Sequence, residues 1–342
     1  MSLPLGKLPI EELKKLLSII YREDGSIILG PNVGEDAALI DLGSKVLVVH
    51  ADPITGAIEN IGWLSVNVAA NDVATRGARP RWLVTVMLLP EGTGTETVEE
   101  IARQVRRAAD RIGVVVVGGH TELTPRLDRP ILVTTAFGVA EKDKVVYTAK
   151  AQPGDILILT KGAGIEGTAI IAREFRQMLE GKVESSVLER ASRFIWEISV
   201  VEEAMTAVEA GGVHAMHDAT EGGVLGAIQE MAMASRLSAR VFEDSIPVRR
   251  ETLEICRVLG VDPLKLVSSG TLLIAVQPSH AARVIEALKN AGREAAVIGR
   301  LEEGEGVVLV RRNGVEEKIK GPVIDELWRL YSEESHIGKS SQ

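Results

Sequence analysis

The sequence of 342 residues, 45% hydrophobic and 25% charged, is that of an ordinary folded protein too long for one small core, so two or three domains are expected. A formal charge of −9 argues against a nucleic-acid backbone as main partner, since that binding needs clustered Lys and Arg; a small anionic ligand stays open, because a metal ion can carry the contact. The single cysteine, Cys256, and 3% aromatics exclude an intrachain disulfide and a Cys-rich zinc site and disfavour a stacking platform for single strands.

In chain order, Ile10 to Tyr21 places apolar residues at helical spacing. Two short strands follow, Ala37 to Ile40 and Lys45 to Val49, with Glu35 and Asp36 just before the first and Asp52 just after the second. Ile61 to Arg76 reads as a helix stopped by Gly77 and Pro80. Trp82 to Leu89 is a strand, Thr95 to Ile112 an amphipathic helix, Val114 to Val117 a buried strand, and Ile131 to Val139 another strand. Pro153-Gly154-Asp155 is a turn signal before a fresh strand, Ile156 to Thr160, so the domain boundary is placed near Lys150, giving domains 1–150 and 151–342.

The second half repeats the alternation without a clean internal repeat. A long helical stretch runs from Thr168 to Glu209, broken near Gly181, then a strand at Val213 to Met216 and a helix at Val224 to Ser235. Strands are expected near Ala239 to Phe242, Thr271 to Val276, Glu294 to Arg300 and Val307 to Val310. Cys256 lies in the helical pattern ETLEICRVLG, as a small buried hydrophobe. Helices at Ala281 to Ala291 and Ile324 to Tyr331 complete the chain, and the Ser-rich tail is expected to fray. Apolar runs are too short to span a membrane, and residues 1–10 lack an apolar core of signal-peptide length, so a cytoplasmic location is expected.

Two familiar phosphate motifs fail. GAGIEG, Gly162 to Gly167, follows a strand, but helix runs through the place where a dinucleotide fold needs a second strand. A glycine loop touching phosphate without that fold, through Gly162 and Gly164, stays open. GKSS, Gly338 to Ser341, lacks the glycine five residues earlier, where Glu333 stands.

The stronger signal is a set of acidic or amide residues beside glycines at element boundaries. These are GEDAAL (Gly34 to Leu39), HADP (His50 to Pro53), NVAANDVATRGA (Asn67 to Ala78), GGHTE (Gly118 to Glu122) and HDATEGG (His217 to Gly223). A hard divalent cation wants oxygen ligands from a few carboxylates and leaves room for water or phosphate oxygens. Glycine beside a carboxylate lets backbone N–H groups approach a phosphate. Asn67 and Asn71, four apart, share a helix face and could aim both amides at one site. The plainer alternative is that Asp36, Asp52 and Asp218 are turn or N-cap residues. Composition alone favours an anionic-ligand site with a divalent metal, assembled from several loops.

These motifs, with AQPGDILILTKGAGIEGT and the opening LGKLPIEELKKLL, resemble in order and rough spacing the aminoimidazole ribonucleotide synthetase-like superfamily. The match spans nearly the whole chain and is nearest the HypE-like branch. That superfamily includes the purine-pathway synthetase, thiamine-monophosphate kinase and selenophosphate synthetase. The resemblance implies a two-domain PurM-like fold of mixed α/β class. Its N-terminal domains pair into a dimeric strand barrel, a C-terminal α/β domain packs beside each, and ATP binds near the dimer interface.

By motif matching, the resemblance makes Asp36, Asp52 and Asp72 magnesium residues. It makes Asp52, Asp218 and His120 catalytic. Gly34, Asp36, Asn71, Asp72, Gly118, Gly119, Thr121, Gly162, Gly164, Glu221 and Gly222 become nucleotide-binding residues. Two positions depart from the family pattern. Glu35 stands where many relatives carry a second aspartate, and His120 where an acidic residue is common, with Glu122 taking over part of that role. HypE proper carries a C-terminal cysteine that receives a carbamoyl group; this sequence has none after Cys256, so that self-tethered reaction is not expected. The expected activity is activation of a carbonyl or amide oxygen by ATP and magnesium, with a homodimer and a hydrogenase-maturation partner, and with neither nucleic acid nor membrane. Two alternatives stand beside it: a small-molecule kinase of the thiamine-monophosphate type, and a non-catalytic nucleotide-binding assembly factor.

Overall fold

The computed structural model describes residue 6 and residues 8–55 and 59–339. The first half runs α1 (Ile10–Ile20), β1 (Ile27–Leu29), β2 (Ala38–Asp41), β3 (Lys45–Ile54), α2 (Ile61–Thr75), β4 (Pro80–Pro90), α3 (Thr95–Ile112), β5 (Val115–Thr124) and β6 (Ile131–Glu141). Its sheet has the order β1-β2-β3-β6-β4-β5. All pairs are antiparallel except β4 with β5, the pair that helix α3 connects, as a parallel crossover requires.

The second half runs β7 (Ile156–Thr160), α4 (Ile165–Glu174), α5 (Arg176–Leu179), α6 (Ser185–Ser192), α7 (Val201–Ala210), β8 (Val213–Asp218), α8 (Gly223–Ser235) and β9 (Ser238–Phe242). It continues with α9 (Arg250–Leu259), β10 (Leu272–Val276), α10 (Ala281–Asn290), β11 (Ala295–Glu302), β12 (Gly306–Val310), β13 (Glu316–Ile319) and α11 (Glu326–Lys339). The second sheet is ordered β13-β12-β9-β11-β7-β10-β8. Two sheets, each with its own helices, make the mixed α/β class that the alternation implied. The expected boundary near Lys150 falls in the connection between β6 and β7.

Several expectations need correction. Strand β3 runs on through Asp52 to Ile54, because ladder pairing with β6 continues along its whole length; Asp52 is therefore inside a strand and aimed by its register. GGHTE is likewise strand, not boundary. Residues 115–124 form the edge of the first sheet, and 115–123 are exposed rather than buried, since β5 pairs with β4 along one side only. The stretch 168–209 breaks into short helices and a 3-10 turn at Arg193–Glu197, which spreads its carbonyls toward α2. Strands β1 and β13 lie outside the expected set. Gly338 and Lys339 of the tail belong to α11, while Ser340 to Gln342 lie outside the described residues.

Helix α2 is the wedge of the molecule. Each of its residues is buried, because it packs on α3, β3 and β6 of its own half and on α7 and β8 of the other. An all-round apolar helix is what such a position demands. Gly62 is needed at its start, where a Cβ would sit 2.6 Å from the Ile101 carbonyl oxygen on α3. Trp63 crosses to the second half: its Nε1–H donates to Ile195 O at 2.7 Å, and its ring meets Trp196 edge-on, with centroids 4.9 Å apart.

The two amides expected to point at one site bond in different directions. Asn67 turns its Nδ2 back to Trp63 O at 2.8 Å. Asn71 spans the two halves: its Nδ2 donates to Ile198 O at 2.8 Å, and its Oδ1 accepts from Val200 N at 2.8 Å. Helix α2 is thereby locked to the second half, since a buried backbone group left unpaired costs about 1–3 kcal/mol. Asn71→Ala strips both partners and is expected to lower unfolding stability by about 2 kcal/mol or more. Urea denaturation checks it, and an unchanged midpoint would contradict the bridging role.

Candidate functional site

The site begins at the GED loop. Gly34 adopts φ +80, and a Cβ there would lie 3.0 Å from Glu230 O and 3.1 Å from the Ala234 Cβ, so this loop presses on α8 of the second half. The two acids that follow diverge. Glu35 accepts backbone N–H groups of Thr148 and Ala149 at 3.0 and 2.8 Å and pairs with Arg76 Nη1 at 3.1 Å. Its longer arm anchors the connection between the halves. Asp36 turns into the site, where Arg76 Nη2 bonds its Oδ2 closely, Thr75 Oγ1 donates to it at 3.2 Å, and His217 Nδ1 lies 2.6 Å from its Oδ1.

Two carboxylate–imidazole groups result. Asp36, His217 and Asp218 bring ligand atoms within 4.8 Å of one another, and His50, Asp52 and Asp72 do the same. Three segments supply the first three aspartates: the GED loop gives Asp36, the even-numbered face of β3 that also buries Val46 and Val48 gives Asp52, and α2 gives Asp72. Asp218 sits at the end of β8, paired with Leu272 of β10.

The electrostatics knit the groups together. Burial, then the negative charges of Asp218, Asp36 and Asp52, push the Asp72 carboxyl well above the ordinary range. Burial would also raise Asp36, but His217, Arg76 and His50 outweigh it and hold that carboxyl below its usual range. Burial opposes the charge on His217, yet Asp36 and Glu230 raise its pKa to about 10. With Glu230 Oε2 2.7 Å from its Nε2 and Asp36 Oδ1 2.6 Å from its Nδ1, His217 is held between two carboxylates that favour its charged form. Four aspartates from distant parts of the chain thus share one negative field.

The other expected residues sit differently. His120 is 63% exposed on β5, 3.0 Å from Glu122, outside both groups, and Thr121 is exposed beside it. Gly118 and Gly119 lie on the same strand. Gly119 shares a row with Thr85, Thr134 and Asp52, and a Cβ on it would lie 2.1 Å from Thr85 O. The amides expected at phosphate are engaged within the protein, because their loops pack on one another. Gly162 N–H goes to Thr160 O at 2.6 Å, Gly164 N–H to Ser268 Oγ at 2.8 Å, and Gly222 N–H to Asp325 Oδ2 at 2.7 Å. Glu221 accepts the Trp328 indole N–H at 2.6 Å. Cys256 is buried, and burial pushes its thiol up to about 12, so it is no nucleophile.

Reading by motif passed over Arg76, His50, His217 and Glu230. A trace of the first was visible as the one basic residue closing an apolar helical pattern, and His217 stands beside Asp218 in HDATEGG; nothing local marked Glu230, which reaches the site only through packing.

A divalent cation suits this donor set. Asp36, Asp52, Asp72 and Asp218 offer hard oxygen atoms, and burial together with the charges of the other three pushes Asp72 up, with Arg76 opposing. Magnesium held by a few carboxylates would relieve that repulsion.

Two α/β halves whose facing loops pool carboxylates define a known class. Residues 34–140 match the N-terminal domain and residues 152–312 the C-terminal domain of AIR synthase related proteins, and the chain belongs to that family. Within it the chain is HypE-like. It is 31% identical over 300 residues to a putative hydrogenase expression/formation protein of Methanocaldococcus jannaschii, covering 84% of this chain and 87% of that one. The carbamoyl dehydratase HypE of Escherichia coli is 30% identical, with 82% and 81% covered. The structure of a hydrogenase maturation protein HypE in complex with ATP superposes with a TM-score of 0.72 at 26% identity, covering 88% of this chain and 92% of that one.

Proposed function

We propose that this chain is an ATP- and magnesium-dependent enzyme that activates a carbonyl or amide oxygen by phosphorylation, within hydrogenase maturation. The observation that carries this reading is the convergence of Asp36, Asp52, Asp72 and Asp218 between the two halves. The names of the relatives, carbamoyl dehydratase among them, and the ATP complex of one neighbour supply the reaction class.

Phosphoryl transfer rests on alignment and charge stabilisation, with little covalent work for the protein. Bound magnesium, on Asp36, Asp52 and Asp72, would supply neutralisation of phosphate charge. Arg76 and Thr75 fix the Asp36 carboxylate, and His217, held by Glu230, keeps it from turning toward solvent. The ladder with β6 fixes Asp52. The acceptor comes from another molecule or segment than Cys256, whose thiol is buried in the second half's helical core.

Homodimerisation belongs to the same reading. Strand β5 is a ten-residue edge whose Val115, Val117 and Leu123 are 59%, 57% and 55% exposed, an arrangement that invites pairing with another chain. The sheet face away from α2 is also apolar, with Leu47, Val49, Val133, Phe137 and Val139 only half-buried. A second copy packed there would bring its own GGHTE strand beside the Asp52 row. Sedimentation velocity and mass spectrometry of ATP-dependent products test the proposal together. A dimer that converts ATP and a carboxamide to ADP and a dehydrated product supports it. A protein that binds ATP and never yields ADP speaks for the assembly-factor alternative, and phosphorylation of a hydroxyl or phosphate acceptor speaks for the kinase.

A further inference from the structure

Helix α1 spaces Ile10, Leu13, Leu17 and Ile20 as an amphipathic helix does, yet none of its residues is buried. The first three are half-buried, and Ile19 and Ile20 are exposed. A helix of 11 residues is marginal in water by itself, so its ends matter. Before α1, Gly6 lies against the second half. It adopts φ +91, and a Cβ there would sit 2.6 Å from Glu221 Oε1 and 3.3 Å from Trp328 Nε1. Its backbone thus rests on the hydrogen bond that joins those two side chains. After α1, the Tyr21 ring lies against the first half, its Cε2 2.6 Å from where a Cβ on Gly30 would be. Each contact falls on a loop that carries a site carboxylate. Gly30 opens the β1–β2 loop that brings in Asp36. Glu221 lies in the turn that begins at Asp218, where Thr220 N–H donates to Asp218 O at 3.1 Å and Gly223 N–H to Thr220 O at 3.0 Å.

We propose that this N-terminal segment is a clasp between the two loops, which seats on Glu221 and Trp328 when a nucleotide is bound and lifts off them to let it enter and leave. This rests on the function proposed above and adds a regulation of the same site. The clasp reaches both of its contacts only while the Asp36 loop and the Asp218 turn stand at the separation seen here. A metal nucleotide gripped by carboxylates of both loops fixes that separation and so favours the seated clasp. By linkage, the seated clasp holds the nucleotide in return. Gly6 is the end that lifts. Its positive φ and its close approach to Glu221 leave no room for a side chain. Lifting costs little, since α1 gives up no buried side chain, which is the usual property of segments that gate a site. Its charges pair within the helix, Glu11 with Lys14 at 2.9 Å and Glu12 with Lys15 at 2.8 Å, and travel with it.

The test uses the full chain and MgATP. Amide hydrogen exchange read by mass spectrometry follows α1, and a stopped-flow chase of a fluorescent ATP analogue gives the nucleotide release rate. In wild type, MgATP should slow exchange across α1 about 10-fold. Gly6→Val, which cannot seat, should abolish that slowing and speed nucleotide release about 10-fold. Its thermal midpoint should stay at the wild-type value, because α1 buries no residue. Tyr21→Ala, which loosens the other end, should move both readouts in the same direction. Equal exchange in α1 with and without MgATP in wild type would overturn the clasp. So would release at the wild-type rate from both variants. Faster release accompanied by a lowered thermal midpoint in both variants would overturn it as well, since that marks a merely structural role. Wild type that does not bind MgATP would instead remove the nucleotide site itself, and the clasp with it.

Discussion

Asp52→Asn is expected to lower ATP turnover by about 10²–10³-fold, the scale on which a charge-stabilising group at a transferring phosphoryl matters, and to weaken MgATP binding strongly. The fold should survive. The backbone of Asp52 is held opposite Thr134 by the β3–β6 ladder, and an amide has the shape of the carboxylate it replaces. The charge is what disappears, together with one contributor to the upward push on Asp72. Calorimetric MgATP titration beside a denaturation curve separates the two effects. Wild-type nucleotide affinity in the variant would count against the carboxylate site itself.

Arg76→Met is the variant expected to cost most stability, about 3–5 kcal/mol, the usual result of removing one partner from a buried ion pair. Arg76 is fully buried at the end of α2. It ties together Glu35, Asp36 and the Thr148 hydroxyl, which accepts from Nη1 at 3.0 Å. The same residue's carbonyl oxygen accepts from Val146 N at 3.2 Å. Its loss leaves two buried carboxylates without their shared guanidinium partner and unpins the connection between the halves. Guanidinium denaturation measures the loss. A variant as stable as wild type would contradict the role of the Arg76 pairs with Glu35 and Asp36 in holding the fold. Because Asp36 carries the site, MgATP affinity should fall in the same variant even at temperatures where it remains folded.

The two variants separate what was readable along the chain from what was not. The elements were largely legible. Thr95–Ile112 and Ile156–Thr160 fall where apolar spacing put them, because an amphipathic helix and a buried strand each impose a period on their residues. The carboxylate motifs were legible too, since glycine beside an acid at a strand or helix end is a chemical pattern that survives without coordinates. Periodicity failed where burial depended on neighbours far away in the chain. Val115 to Val117 look like a core strand, but their apolar faces lie on an uncovered edge. Asn67 and Asn71 share a helix face as expected, yet one bonds its own helix and the other the opposite half.

By itself, then, the order of residues determined that acids and glycines recur at defined intervals within an alternating α/β chain, and that its one cysteine sits in an apolar helix. Only the tertiary structure decided which acids meet. Asp36 and Asp72 enter one field with Asp52 and Asp218 because α2 is wedged between the halves, while Glu35, adjacent to Asp36 in sequence, is turned away to a backbone anchor. The physical reason is range. Periodicity and turn chemistry act over a few residues, whereas a shared electrostatic field, a buried guanidinium and a carboxyl lifted toward neutrality arise from groups separated by tens to hundreds of positions.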